Sequence, residues 1–391
     1  MTYPGGFGSS RLAGRIAGFK SIAFVTLFSI AFLSMFHTPS FAASSSHSAQ
    51  QEPTPVLAYY YIWFDPGSWN RAKTDYPRLG RYSSDDRKVM QEHIRMAKKA
   101  GINGFIVSWK STDVLNRRLD QLIQVANAED FKLAIIYQGL DFNRNPLPAA
   151  RVATDLDYFI DTFASNKAFG IFEHPLVIWS GTWKFTPSDV ASVTRTRRDR
   201  LLILASERNL DGYQHLADSV SGNAYYWSSV DPETYPRYPE KLSEMSQAVH
   251  AHDGLWIAPA APGFDARLIG GTRIIDRKDG ATLRQQMDAA VQSSPDAIGL
   301  ISWNEFSENS YVEPSINYGT RYLEVLADIR GTSFPKYTDF DSSEPGTTEY
   351  RLSNLVLLLG VGGLIAASIA AIVWRERRRR MDIFNEPSIE Q

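Results

Sequence analysis

The chain contains no cysteine in its 391 residues. That absence excludes a disulfide scaffold and a zinc site built from thiolates. Glycine, with 26 residues, and proline, with 20, are too few for a collagen-like fibre. Hydrophobic residues make up 43% of the chain, which excludes a disordered protein. The composition therefore indicates a globular protein with a sizeable core.

An excess of positive charge is also lacking, since the formal net charge is −2. Three cations precede residue 21, and five arginines and four acids follow residue 374. The part between them holds 33 basic and 39 acidic residues and has a net charge of −6. A negative domain of this kind argues against nucleic acid as a partner.

Several catalytic motifs are missing as well. Neither H-E-x-x-H nor G-x-S-x-G occurs, and His250 and His252 lack the spacing of a helical zinc pair, which disfavours a metalloprotease and a serine hydrolase. No unit of 20 to 50 residues recurs, so a solenoid or propeller is not expected. We predict neither a metal nor a cofactor.

The N-terminal segment resembles an export signal. Residues 1–20 carry three cations and no acid, residues 21–36 are almost wholly apolar, and small residues follow at 40, 42 and 43. We therefore expect residues 1–43 to be a signal peptide, with an uncleaved membrane anchor as the alternative. A polar linker over 44–55 would connect it to the first strand.

The C-terminal segment predicts a membrane anchor. Residues 355–374 are a run of about 20 apolar or small residues, which is long enough to cross a bilayer as a helix. The five arginines that follow predict a basic cytoplasmic tail over 375–391 by the positive-inside rule. Residues 331–354 are polar and form a tether. We expect a single-pass protein of the cell membrane with its main domain outside.

The main domain, 56–330, alternates short β-branched or aromatic runs with amphipathic ones. Eight runs are predicted strands, and they are continuously apolar, as strands buried on both faces are. They span 56–63, 104–109, 132–138, 175–180, 200–207, 223–227, 255–260 and 297–304. Predicted helices lie near 85–100, 114–128, 151–165, 187–196, 239–252, 281–293 and 318–329, with a short one between 210 and 219. The pattern predicts a (β/α)8 TIM-type barrel of the α/β class, with an open doubly wound sheet as the alternative.

The active site of such a barrel lies at the C-terminal ends of its strands. Aromatic and polar residues are concentrated there, and rings stack on the apolar faces of sugars while amides and carboxylates bind hydroxyls. We therefore predict an oligo- or polysaccharide substrate, although core packing is an alternative for any single ring. The candidate binding residues are Tyr61, Trp63, Trp109, Tyr137, Gln138, Trp179, Glu207, Trp227, Asn304, Tyr311 and Glu313.

The loop after the last strand is rich in acids. Glu305, Glu308 and Glu313 lie within a few residues of one another. Glycoside hydrolysis needs one carboxyl group to protonate the leaving oxygen and a second to assist at the anomeric carbon. Glu305 and Glu308 are the predicted catalytic pair. A solvated acidic loop, or a calcium site made from all three acids, is the alternative. Asp85 and Asp86, which follow two serines, are interpreted as helix capping residues.

Residues 56–329 resemble glycoside hydrolase family 99, the endo-α-mannosidase and endo-α-mannanase family, and its membrane-bound relatives. The resemblance is carried by AYYYIWF (58–64), YSSDD (82–86), HIRMAKKAGINGFIVSW (93–109), APGFD (261–265) and SWNEFSENSYVEPSINYG (302–319). The family pattern at the last of these is close to W-N-E-W-x-E-G-T-x-I-E-P. The sequence departs from the family at Ile62, Phe306, Asn309 and Ser310, where the family has Pro, Trp, Gly and Thr.

The resemblance implies a retaining, endo-acting hydrolase of α-mannosides that works through an anhydro sugar. Glu305 would deprotonate the substrate's 2-hydroxyl, and Glu308 would act first as acid and then as base. Two other functions stay open at this point, a non-catalytic glycan-binding module and a polysaccharide-processing transferase. Turnover of a glycan would separate the hydrolase from the binding module.

Overall fold

A computed structural model describes residues 53–71 and 73–335 of the chain. The predicted signal peptide, the C-terminal helix over 355–374 and the tail lie outside these residues, as do most of the linker and the tether. Within the described residues, no helix is both long and apolar enough to cross a membrane.

Eight parallel strands close into a barrel in the order β1-β10-β7-β6-β5-β4-β3-β2, which confirms the predicted (β/α)8 class and excludes the open sheet. The barrel strands are β1 Val56–Tyr61, β2 Gly104–Trp109, β3 Lys132–Gln138, β4 Leu176–Ser180, β5 Leu202–Ala205, β6 Gly222–Ala224, β7 Leu255–Ala260 and β10 Ala297–Leu300. A two-stranded antiparallel sheet, β8 Phe264–Asp265 and β9 Ile274–Ile275, follows β7 and was not predicted.

The described residues contain eight α-helices, which follow the barrel strands along the chain. They are α1 Arg87–Lys99, α2 Asp113–Ala128, α3 Ala149–Thr162, α4 Pro187–Thr194, α5 Leu210–Gln214, α6 Tyr238–His250, α7 Ala281–Gln292 and α8 Arg321–Ile329. The predicted helices correspond to these within a few residues, and α5 is the predicted short one.

Helix α1 shows how local sequence sets these boundaries, and it corrects one prediction. Its N-cap is Asp86, whose side chain accepts hydrogen bonds from the Lys88 and Val89 N–H groups. Asp85 is not part of the cap, because its carboxylate binds the guanidinium groups of Arg117 and Arg118 on α2. Capping therefore explains only one of the two acids.

Alternation along the strands divides the core into two layers. One set of side chains fills the barrel, for example Leu57 and Tyr59 of β1 and Ile106 of β2. The other set packs against the helices and includes Val56 and Tyr60. Every strand residue therefore faces either the barrel axis or the helical layer, and this parity decides which strand-end side chains reach the site.

Candidate active site

The loop that follows β10 carries the predicted acid pair at the C-terminal end of the barrel. Strand β10 ends at Leu300, four residues earlier than predicted, so the whole W-N-E segment lies in the loop. The Glu305 N–H donates to Ser302 Oγ at 2.8 Å, and Glu305 Oε1 accepts from the Ser307 N–H at 3.0 Å. These bonds fix the backbone and the carboxylate of Glu305, which is only 6% exposed.

The two carboxyl groups are electrostatically coupled. Burial raises the pKa of Glu305, and the charge of Glu308 raises that pKa further. Burial also raises the pKa of Glu308. Burial of both carboxyls and the repulsion between them therefore oppose their simultaneous ionisation. One protonated and one ionised carboxyl is the state that glycosidic hydrolysis requires.

Two tyrosine hydroxyls face the pair. Tyr61 ends β1, and its hydroxyl is hydrogen-bonded to the hydroxyl of Tyr226, which follows β6. Burial raises the pKa of both phenols well above the usual value, and the charges of Glu305 and Glu308 raise it further. Both hydroxyls are therefore neutral hydrogen-bonding groups at the site.

Tyr226 was not among the predicted binding residues, whereas its neighbour Trp227 was. Strand β6 ends at Ala224, so the predicted strand 223–227 is mostly loop. Tyr225 and Trp227 stack on each other at 4.0 Å in the helical layer, whereas the Tyr226 ring meets Tyr59 of the barrel interior. Strict alternation along this segment would have identified Tyr226.

Two cations act on the acids, and neither was predicted. Lys73, in the loop after β1, lowers the pKa of Glu305, and burial lowers the pKa of Lys73 itself. Arg144, in the loop after β3, lowers the pKa of Glu308. Each carboxyl is thus opposed by one cation from a different loop.

Trp63 is the predicted aromatic residue that remains accessible at the strand ends. Its side chain is 43% exposed, and its ring lies 4.4 Å from the Tyr61 ring, tilted by 32°. A partly exposed indole next to Tyr61 is suited to stacking on a sugar face.

Four other predicted rings are packed in the layer between strands and helices. They are fully or almost fully buried there, which does not support direct contact with a substrate and agrees with the alternative of core packing. They are Trp109, Tyr137, Trp179 and Trp227. Side chains alternate in direction along each strand, and Trp109, Tyr137 and Trp179 occupy positions that face the helices. These rings are buried for that reason.

Gln138 and Glu207 lie at strand ends in different surroundings. The Gln138 amide donates to Ser108 Oγ at 3.0 Å and is half-buried. Burial raises the pKa of Glu207, and a hydrogen bond with Thr182 opposes that rise.

Asn304 and Glu313 hold the site together rather than facing it. Asn304 accepts from the Tyr61 N–H at 2.8 Å and donates to the Tyr61 carbonyl at 3.0 Å and to the Tyr82 hydroxyl at 3.2 Å. The Glu313 carboxylate accepts from the Tyr82 hydroxyl at 2.8 Å and lies 3.0 Å from His93 Nε2. These bonds tie the acidic loop to β1 and α1.

This network contradicts the calcium alternative. Both oxygens of the buried Glu313 carboxylate are engaged by Tyr82 and His93, so Glu313 does not join Glu305 and Glu308. Across residues 53–71 and 73–335, no three histidines or acids are grouped to hold a metal ion.

Tyr311 packs against Phe306 of the acidic loop and binds Asp75. Its hydroxyl donates to Asp75 Oδ2 at 2.6 Å, and its ring stacks on Phe306 at 4.0 Å. Phe306 also meets the edge of Trp69, so the position where the family motif has Trp is filled by a buried ring. The departure from the motif at this position preserves aromatic packing under the acid pair.

Comparison with known proteins identifies the family of the chain. The family model Glycosyl hydrolase family 99 matches residues 68–332, more than half of the chain. A glycoprotein endo-alpha-1,2-mannosidase of Rattus norvegicus is 23% identical over 276 residues, covering 64% of this chain and 59% of the relative. A glycoprotein endo-alpha-1,2-mannosidase-like protein of Homo sapiens is 23% identical over 283 residues, with 64% and 60% covered. The chain thus spans about three fifths of the length of these relatives.

Solved structures share the fold. The GH99 endo-alpha-mannosidase from Bacteroides thetaiotaomicron superposes with a TM-score of 0.61 at 20% identity, covering 71% of this chain and 97% of that one. A glycoside hydrolase-like protein superposes with a TM-score of 0.56 at 17% identity, covering 72% and 94%. At these identities the similarity establishes the barrel fold.

Proposed function

The chain belongs to glycosyl hydrolase family 99, and from that premise we propose that it cleaves α-mannosidic bonds inside an oligo- or polysaccharide. It is a glycoside hydrolase. The observation that carries the substrate-level proposal is the acid pair in the family's motif, with Glu305 buried and Glu308 half-buried in the loop after β10. The mannosidase names of the relatives support mannose as the sugar.

The family motif implies different roles for the two acids. We propose that Glu308 is protonated when substrate binds and donates its proton to the leaving oxygen, while Glu305 accepts the proton of the sugar's 2-hydroxyl. Glu308 Oε2 is buried and has no hydrogen-bond partner in the described part of the chain, so a substrate oxygen would complete it. Glu305 accepts the Ser307 N–H, which lowers its pKa, while burial and the charge of Glu308 raise that pKa overall.

The test is glycan turnover by the purified protein. Incubation with α-mannans and with a panel of other glycans should release oligosaccharides from the mannans alone, and mixed oligomer lengths at early times would indicate endo action. The Glu305→Gln protein is the matched control for contaminating activity. Binding of a glycan without turnover by the wild type would instead support the glycan-binding module.

Retention is tested separately. Proton NMR of the first product formed from an α-mannoside should show the α-anomer before mutarotation. A first product in the β-configuration would contradict the retaining mechanism while leaving the hydrolase assignment intact.

We also propose that the barrel lies outside the cell, held by the apolar segment 355–374. The support is the sequence alone: an apolar run of sufficient length, five arginines after it and a signal-like N-terminal segment. Protease added to intact cells should digest or release the barrel. Protection of the whole chain until lysis would contradict this topology.

A further inference from the structure

Arg277 is a buried cation that binds the backbone of the acidic loop. It follows β9 and is 4% exposed. Its Nη1 donates to the Tyr311 carbonyl at 2.9 Å, and its Nη2 donates to the Asn309 carbonyl at 2.8 Å. The planar guanidinium is suited to binding two carbonyls of one loop at once, as a lysine ammonium is not.

Three tyrosine rings surround the same guanidinium. Its carbon lies 4.6 Å from the ring centroid of Tyr311 and 4.5 Å from those of Tyr318 and Tyr322. Cation–π contacts of this kind compensate for desolvation of the charge and fix the plane of the group. The aromatic rings thus hold Arg277 where its donors meet the loop.

The loop is constrained most closely next to Glu308. Asn309 has a φ of 49°, in the left-handed region that non-glycine residues rarely adopt. The Asn309 carbonyl is the one that Arg277 binds, and the preceding carbonyl, that of Glu308, accepts from the Asp265 N–H at 2.8 Å. The carbonyl groups of Glu308 and Asn309 are therefore bound by Asp265 of β8 and by Arg277, two residues after β9.

The APGFD segment (261–265) allows this close approach. Gly263 has a φ of 159°, and a Cβ built on it would lie 2.5 Å from Arg277 Cγ and 2.9 Å from the Ile275 carbonyl oxygen. A side chain at this position would displace the stem of Arg277. Gly263 thus makes room for Arg277, which binds the acidic loop after β10.

We propose that Arg277 is a positioning residue for the reaction, which holds the left-handed turn at Asn309 and so aims the Glu308 carboxyl at the scissile bond. The kinetic part of this proposal rests on the proposed function. Arg277 donates to backbone carbonyls of the loop, so we expect substrate binding not to depend on it.

The first experiment compares Asn309→Gly with Asn309→Ala in the full-length protein. Both remove the same side chain, and they differ mainly in the cost of the left-handed backbone, which is low for glycine and high for alanine. We expect kcat of the Gly variant to stay within about threefold of wild type and kcat of the Ala variant to fall about tenfold, with KM unchanged in both. Equal activity of the two variants would overturn the role of the turn.

The second experiment removes the cation. Arg277→Met should lower kcat by about 10 to 100-fold with KM within about twofold, because displacement of a catalytic group by about 1 Å has a cost of that size. Arg277→Lys keeps the charge among the rings but loses the two-carbonyl geometry, and should recover only part of the activity. Lys278→Met is the control, since Lys278 is exposed and pairs with Glu233 on the surface.

A third measurement needs no substrate and separates positioning from folding. The charged and titratable groups that interact with Glu308 are Glu305 in its own loop, Tyr61 at the end of β1, Arg144 after β3 and Tyr226 after β6. Carbon NMR of protein labelled at the glutamate carboxyls would follow the Glu308 titration, with its signal assigned from Glu308→Gln. A loosened loop admits water, so the Glu308 midpoint should move to lower pH in Arg277→Met and Asn309→Ala and stay in place in Lys278→Met.

The outcomes are distinguishable from failure of the proposed function. If wild type turns over no glycan, the titration shift alone decides whether Arg277 positions Glu308. If Arg277→Met does not fold, the Gly and Ala variants of Asn309 decide it. An unchanged Glu308 midpoint in folded Arg277→Met or in Asn309→Ala would overturn the proposal.

Discussion

At the scale of single residues, the chemistry depends on where one proton resides. Glu305 and Glu308 lie three positions apart in an irregular loop, and burial raises the pKa of each. Lys73 and Arg144 oppose the rise from two sides. Burial and the two cations thus shift the pKa of each acid in opposite directions, and acid–base catalysis requires one acid to be protonated while the other is ionised.

Replacement of either acid by glutamine tests this assignment. Glutamine keeps the size and hydrogen-bonding shape but cannot ionise, so turnover should fall about 10² to 10⁴-fold in each variant. A leaving group that needs no protonation, such as an activated aryl or fluoride, should partly rescue Glu308→Gln and leave Glu305→Gln inactive. Near-normal activity of either variant on a mannan would contradict the pair.

The 2-hydroxyl gives an independent test of the anhydro-sugar route. A substrate whose reacting mannose lacks its 2-hydroxyl has no internal nucleophile, so wild type should not cleave it. The parent substrate under the same conditions is the control. Cleavage of the 2-deoxy substrate would point to direct attack by a carboxylate instead.

The raised pKa of Glu305 also predicts how stability varies with pH. The folded protein holds the proton more tightly than the unfolded chain, so stability is complete below the ordinary carboxyl pKa and declines as pH rises toward the folded value. Each unit of pKa difference is worth about 1.4 kcal/mol. Melting temperatures of Glu305→Gln should therefore rise above wild type as pH increases from 4 to 9 in thermal scans. Exposed Glu240→Gln is the control, and a difference that shrank with pH would contradict the burial argument.

Some residues of the site could be predicted from the sequence and others could not. The placement of Glu305 and Glu308 in one loop at the end of the barrel was predictable because their spacing and strand-end position are visible in the chain, and their catalytic roles stay a prediction. Lys73, Arg144 and Arg277 were not, because each comes from a loop whose path depends on tertiary packing. Asn304 and Glu313 were predicted as binding residues, but their hydrogen bonds hold the loop to β1 and α1.

At the scale of elements, parity along short strands decides which rings reach the site. Strand β6 has only three residues, and the consecutive rings Tyr225, Tyr226 and Trp227 follow it with alternating directions. An aromatic cluster at a strand end therefore contributes one ring to the barrel mouth and the others to the helical layer. Continuous apolar composition made the strands predictable and at the same time concealed this parity.

A matched pair of variants tests the parity. Tyr226→Phe removes a hydroxyl that faces the acids and should lower kcat/KM about tenfold, the value of one hydrogen bond of about 1.4 kcal/mol. Tyr225→Phe makes the same chemical change in the helical layer and should leave kcat/KM within about twofold. Steady-state kinetics on one mannan would compare them, and equal losses would contradict the placement of Tyr226.

At the scale of the whole molecule, the barrel closes between its first and last strands. Val56 pairs with Ile298 and Ala58 with Leu300, and Arg330 Nη1 donates to the Thr54 carbonyl at 2.8 Å beside that seam. The eight strands and seven longer helices were predictable from apolar runs and capping residues. The β8–β9 sheet was not, because strands of two residues leave no periodic signal.

A closed barrel should fold without the segments on either side of it. A protein of residues 53–335 should unfold in one cooperative transition, with a melting temperature within about 2 °C of the full chain, a difference of less than about 1 kcal/mol. Circular dichroism with thermal melting would measure both proteins in the same detergent buffer. Loss of the cooperative transition in the shorter protein would show that the flanking segments contribute to the fold.

The placement of both acids in one loop has a consequence for how this enzyme could diversify. The acid pair lies in the single stretch 302–313, whereas Lys73, Arg144 and Tyr226 belong to the loops after β1, β3 and β6. Under the proposed function, mutation of those loops would alter which sugar is admitted and leave the acid pair itself unchanged. Drift in substrate preference and conservation of chemistry can therefore proceed independently in different parts of the gene.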